Sequence, residues 1–305
     1  MRTLLHHTCT ALAIATLAGC ASKQAAYPTP EAAVDAFVSA VHPRDEAQLR
    51  TIFGPDSADL IDSGDPVADK DRAAHFYQMY QDRHEIGMDD AGGRVLIVGK
   101  DAWPFPIPLV EENGKWIFDT AAGKEEILNR RIGANELDTI QTCLAIVDAQ
   151  REYATLDTDG SGVSVYADRF ISEPGKKNGL YWPAAPGQAD SPLGELVADA
   201  EAEGYSRGTA RNPAPYHGYL FRILTSQGPN AAGGAYSYVA NGRMIGGFGL
   251  VAWPVNYGSS GIMTFITNQD GVVYQQDLGD DTDRAAKAIK AFDPGPGWVR
   301  VEQVK

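Results

Sequence analysis

The residues whose types and spacing could do chemistry gather in one loop, Asp157-Thr158-Asp159-Gly160-Ser161-Gly162. Calcium takes about six to eight hard oxygen ligands. A tightly turning chain supplies them from short side chains at alternate positions, then a glycine, a carbonyl and a closing acid. Asp157, Asp159 and Ser161 fill the alternating positions, Gly162 the turn, Val163 the carbonyl and Asp168 the close. Three features depart from the pattern. Ser161 stands where Asp or Asn is usual, Asp168 has a shorter arm than Glu, and Val165 offers no side-chain oxygen. The expectation is a structural Ca2+ site; the alternative is an Asp/Gly turn that ends a helix with solvated acids.

His217 is the second candidate. Placed at a strand start between Tyr216 and Gly218, it could act as a general base in a hydrolase. The plainer reading is a histidine packed at a sheet edge. Gly258-Ser259-Ser260-Gly261 does not fit the Gly-x-Ser-x-Gly of a nucleophile elbow. The Gly-rich stretch 227–234 lacks the Gly-Lys-Ser/Thr ending of a phosphate loop, and no histidine spacing suggests zinc. Cys143 stands alone on an apolar stripe, where it reads as a small buried hydrophobe.

The amino terminus fixes the expected compartment. Arg2, an apolar run from Ala11 to Leu17 and small residues before Cys20 describe a secretory leader over residues 1–19. The run is too short for a mature membrane span. Leu17-Ala18-Gly19-Cys20 resembles the bacterial lipobox, which implies a diacylglyceryl group on Cys20. Ala21, rather than Asp, follows it; by resemblance to Gram-negative sorting this favours the outer membrane, facing the periplasm. Residues 20–30 then read as a lipidated tether. The chain has 26 Lys+Arg against 40 Asp+Glu. That balance and the absence of a basic run argue against a nucleic-acid partner, leaving the membrane and an unknown envelope protein or small molecule.

The elements that must position these residues suggest an α+β chain in two parts. Residues 31–121 open with helices at Glu31–Val41, Asp45–Phe53 and Arg72–Arg83. Strands at Arg94–Val98 and Phe105–Val110 follow, with a hairpin at Asn113-Gly114 before Trp116–Asp119. Residues 122–305 begin with a helix over Lys124–Ile132, broken at Gly133. Asn135 caps a new helix to Leu156, with Leu137, Ile140, Leu144 and Val147 on its stripe. Val165–Ile171 suggests helical turns and Leu193–Glu203 a helix. An antiparallel meander from Tyr216 to Gln276, with a second Asn-Gly turn at Asn241-Gly242, precedes a closing helix at Asp283–Phe292.

Several strings carry a family resemblance. Pro215-Tyr216-His217-Gly218-Tyr219-Leu220-Phe221-Arg222-Ile223-Leu224, Gln227-Gly228-Pro229-Asn230, Gly246-Gly247-Phe248 and Asn268-Gln269-Asp270-Gly271 are among them, with Gly179-Leu180-Tyr181-Trp182 and the Asp157 loop. They resemble a bacterial family known only as domain of unknown function 2950. The likeness covers the whole mature chain and implies no assigned activity. The opening Pro30–Val41 helix and the Gly114-Lys115-Trp116 strand make the first part look like an NTF2-like cone, which implies a pocket. The second part looks like the globular domain of type IV pilins, though its helix lies inside the chain and filament assembly is not implied. The expected function is an envelope lipoprotein that binds or scaffolds, with the hydrolase as alternative.

Overall fold

Thr29 and Pro30 start the first helix: the Thr29 hydroxyl accepts from Ala32 N, and Pro30 presets the first helical φ. This is α1 (Pro30–Val41), which buries Ala33, Val34, Phe37, Ala40 and Val41. The computed structural model describes residues 24–61, 66–89, 92–158, 160–184, 187–203, 205 and 214–302. The leader, Cys20 and Asp159 lie outside these. The chain divides into two units, Met1–Ile127 and Leu128–Lys305.

In the first unit, Asp45 caps α2 (Glu46–Phe53) by accepting from Gln48 N, and Gly54 at φ +86° stops it. Short α3 (Ala58–Ile61) and longer α4 (Pro66–Asp82) follow. The strands are β1 (His84–Met88), β2 (Arg94–Val98), β3 (Trp103–Pro104), β4 (Leu109–Glu112) and β5 (Lys115–Phe118). They form an antiparallel sheet in the order β1-β2-β4-β5, with β3 also on β2. Asn113 and Gly114 both take positive φ, +53° and +73°, the two-residue turn that matches strand twist. It sets Glu112 opposite Lys115. Phe37 sits at the centre of the core, its ring centroid 4.8 Å from that of Phe105, 5.2 Å from Phe76 and 5.4 Å from Phe53. The segment before α1 is bound as well. Gln24 Nε2 donates to Phe118 O at 2.6 Å and Ile52 O at 3.0 Å. Tyr27 and Trp116 exchange backbone hydrogen bonds.

Asp119 opens α5 (Thr120–Tyr153) by accepting from Ala122 N. The expected break at Gly133 does not occur. Gly133 keeps a negative φ, and an interior glycine costs only about 1 kcal/mol against alanine, too little to end a helix that packing holds. Asn135 is therefore no cap. Its Nδ2 donates to Ser260 O at 2.8 Å, and the Glu136 carboxylate accepts from Ile262 N at 2.9 Å and Met263 N at 3.0 Å. Leu137, placed on the apolar stripe by spacing, is exposed; Cys143, Ile146, Val147 and Tyr153 are buried.

The second unit continues with α6 (Gly194–Ala202) and β6 (Tyr219–Leu224). Four two-residue strands follow: β7 (Ser226–Gln227), β8 (Tyr236–Ser237), β9 (Val239–Ala240) and β10 (Arg243–Met244). Then come β11 (Gly249–Pro254), β12 (Met263–Asn268), β13 (Tyr274–Asp277), α7 (Thr282–Ala288) and β14 (Val299–Arg300). The main sheet runs β14-β13-β12-β11-β6, antiparallel throughout. Strand β11 is buried along its length because both faces are covered. Leu250 and Ala252 pack with Cys143 and Ile146 of α5; Val251 and Trp253 pack with Ala286 of α7 and with Phe292. This is the expected long helix on an antiparallel meander. Val165–Ile171 is not helical: isolated bridges at Tyr166 and Ile171 flank a bend. The buried Gln150 side chain pairs with Ala167 as a strand would, donating to its O at 2.8 Å and accepting from its N at 2.9 Å.

Candidate functional site

The first unit encloses a cavity of about 760 Å3, within the roughly 300–1,000 Å3 of small-molecule sites. Its apolar wall comes from α1 (Phe37, Val41), α2 (Leu49, Phe53), α4 (Ala73, Phe76, Met79) and the sheet (Val98, Phe105). Ile61, Trp103 and Ile107 add to it. These positions lie in separate elements, and each is apolar for an ordinary packing reason. No local motif marks them, so sequence reasoning did not gather them. Trp103 lines the cavity and is 37% exposed.

Among the described residues, the charged side chains lining the cavity are Arg44, Arg72, Lys100, Asp82 and Asp101. Arg44 differs from the rest in being mostly covered, with its side chain 18% exposed. It follows α1 at φ +55°, and its Nη2 donates to Ile61 O at 3.1 Å. Glu46 stands 3.5 Å away and is 47% exposed. Arg72, Lys100, Asp82 and Asp101 are exposed.

The described members of the expected calcium set make hydrogen bonds within the loop and to a neighbouring arginine. Asp157, at φ +41°, accepts from Gly162 N at 3.0 Å, and the Ser161 hydroxyl accepts from Val163 N at 3.2 Å. Val163 is exposed. Asp168 pairs with Arg169 Nε at 2.8 Å, and Asp159 lies outside the described residues. Among the described residues no cluster of three or more His, Cys, Asp or Glu side chains could hold a metal ion. Arg169 also bonds Glu173 at 2.6 Å, and Lys176 bonds Glu173 at 2.5 Å. The hydrogen bond from Lys176, then those from Arg169 and Asn178, pull the Glu173 carboxyl down to about 2.

His217 takes the left-handed φ of +47°. Its Nδ1 lies 3.5 Å from Asp138 Oδ2 and its Nε2 3.8 Å from Glu203 Oε2. Tyr216 and Tyr205 pack against the ring. Two carboxylates and two phenols surround the imidazole. Cys143 cannot serve as a nucleophile, since burial pushes its thiol up to about 12.

These features define a two-unit α+β protein with a ligand-sized cavity in its first unit. The chain belongs to the family described as "protein of unknown function (DUF2950)", matched over residues 24–301. No curated protein and no solved structure matches it. No helix among the described residues is long and apolar enough to cross a membrane.

Proposed function

We propose that this chain is an outer-membrane lipoprotein, anchored through Cys20 and facing the periplasm, whose first unit is an NTF2-like cone that binds a small apolar ligand. The cavity carries this reading. Its size suits a small molecule, its wall is apolar, and burial of apolar surface contributes about 25 cal/mol per Å2.

The test uses the chain from Ala21 onward, which keeps every described residue, and a neutral fluorescent naphthylamine. Fluorescence enhancement with a saturable isotherm is the expected result. Ala73 lines the cavity, so Ala73→Trp fills it and abolishes the enhancement while the protein still melts cooperatively. No saturable binding by the unsubstituted protein, or equal binding by Ala73→Trp, overturns the reading. Calcium at the 157–168 loop is a separate element of the proposal. Ligand that binds only the folded state raises the melting temperature, so millimolar calcium should raise it, and Asp157→Ala should remove the rise. An unchanged melting temperature at several millimolar would leave a turn closed by its own hydrogen bonds.

A further inference from the structure

We infer that the open edge of β1 pairs with β1 of a second copy of this chain, antiparallel, with Ile86 facing Ile86 across a two-fold axis. The inference is independent of the ligand proposed for the cavity.

The first observation is which way the backbone points. Asp89 N donates to Gly93 O at 3.2 Å and Gly99 N to Arg83 O at 2.8 Å, so these two pairs bracket the ladder between β1 and β2. Hydrogen-bonded and non-bonded pairs alternate along an antiparallel ladder. Arg83, Glu85, Gly87 and Asp89 therefore direct their backbone groups to β2, and His84, Ile86 and Met88 turn theirs outward. Among the described residues, none of those outward groups meets a hydrogen-bonding partner.

The other edges are treated differently. The far edge of the same sheet is closed by the chain itself, where Tyr27 and Trp116 exchange backbone bonds at 2.8 and 2.7 Å. In the second unit, edge strand β6 is held at both ends, Tyr219 by Tyr216 and Thr225 by Tyr238. Proline, a bulge or an inward-pointing acid would blunt an open edge. Strand β1 has none of these: its five residues pair with β2 in unbroken register, and Glu85 lies opposite Ile97, on the face away from buried Leu96 and Val98. Met88 on this edge is 68% exposed, more than any other large apolar side chain among the described residues.

Charge selects the partner and the register. With Ile86 facing Ile86, His84 faces Met88 of the second copy, and each of the three outward pairs makes two backbone bonds. Glu85 then faces Gly87, and Arg83 faces Asp89. Arg83 keeps Glu85 and Asp89 keeps Gly93 N; what matters is that no like charges stand opposite. A shift of the register one way sets Glu85 against Glu85, and a shift the other way sets Glu85 against Asp89. Like charges directly opposite destabilise a strand pair. Met88 gains cover from His84 of the second copy, whose ring stacks on Tyr80 at 3.9 Å. A five-residue edge is small beside the roughly 20–30 residues a side of a standard interface, so the dimer forms reversibly.

Sedimentation equilibrium of the chain from Ala21 onward, between about 5 μM and 1 mM, tests this. A monomer–dimer equilibrium within that range is expected. A monomer throughout overturns the inference and leaves the edge to a strand of another protein. Met88→Pro removes an outward N–H and sets its ring against the incoming strand. Edge strands tolerate proline where its nitrogen faces solvent, so the variant should still melt cooperatively while its dissociation constant rises at least about tenfold. Unchanged dimerisation by folded Met88→Pro overturns the inference. Should that variant not fold, cross-linking decides. Glu85 and Gly87 of the second copy would form a non-bonded pair with Cα atoms about 4.5 Å apart, within disulfide reach. A Cβ at Gly87 meets Ile97 Cδ1 at 2.9 Å, the movable end of a side chain, and native Cys143 is buried. Glu85→Cys and Gly87→Cys proteins, mixed and oxidised, should cross-link well above either protein alone. Cross-linking of the mixture no greater than that of either alone overturns the pairing.

Discussion

Glu173 shows how much one exposed side chain can organise. It accepts from Arg169, Lys176 and Asn178 together, and those bonds draw its carboxyl from the usual 4.5 to about 2. A carboxyl depressed by folding contributes stability that is complete above its unfolded value and lost as pH falls through the folded one. Glu173→Gln should therefore lower the melting temperature at pH 7, and the gap between variant and parent should close between about pH 4.5 and 2. Solvent screens the pair, so the shift is small. Melting curves across that range check it; a gap that stays constant down to pH 2 would remove Glu173 from the acid response.

At the scale of elements, the structure turns on how α5 meets the sheet of the second unit. Glu136 is the joint: one carboxylate oxygen holds the amides of Ile262 and Met263 at the start of β12. Hydrogen bonds to a charged group contribute about 1.5–3 kcal/mol. Glu136→Ala should cost about that much in urea unfolding, and Glu136→Gln, which keeps an acceptor oxygen, should recover more than half. Equal losses in both variants would show that the charge rather than the acceptor matters. The sequence displayed the helix but not the joint. Apolar spacing at Cys143, Ile146 and Val147 made the second half of α5 legible, and Asn-Gly did the same for both hairpins, because those signals are local. Asn135 and Glu136 read as a helix start because capping residues and tertiary hydrogen-bonding residues are the same types. Strand β1 escaped notice because His84-Glu85-Ile86-Gly87-Met88 has no alternating pattern and its ends are exposed. The lining of the cavity escaped for a related reason: its wall is assembled from α1 to β3 by distant contacts, and only the fold brings Arg44 beside Ile61.

Over the whole molecule, charge decides how the protein can meet a membrane. The chain carries 26 basic against 40 acidic side chains, a formal net charge of −14. Cytoplasmic and other anionic lipid surfaces attract basic segments by about 1 kcal/mol per residue and repel acidic ones. An acidic body gains little from such a surface, and the proposed anchor would draw instead on acyl chains, each buried methylene contributing about 0.8 kcal/mol. The chain from Ala21 onward should stay in the supernatant when spun with vesicles of phosphatidylethanolamine and phosphatidylglycerol, at low salt and at 0.15 M alike. The full chain expressed in a Gram-negative host should partition with membranes, and Cys20→Ser should release it. Salt separates this from an electrostatic contact, since exposed charges are screened beyond about 8 Å at 0.15 M: an acyl anchor holds through the change, while binding through a basic patch does not. Sedimentation of the Ala21 form with vesicles at low salt would place an attachment surface on the folded body. Membrane retention of Cys20→Ser would move the anchor elsewhere.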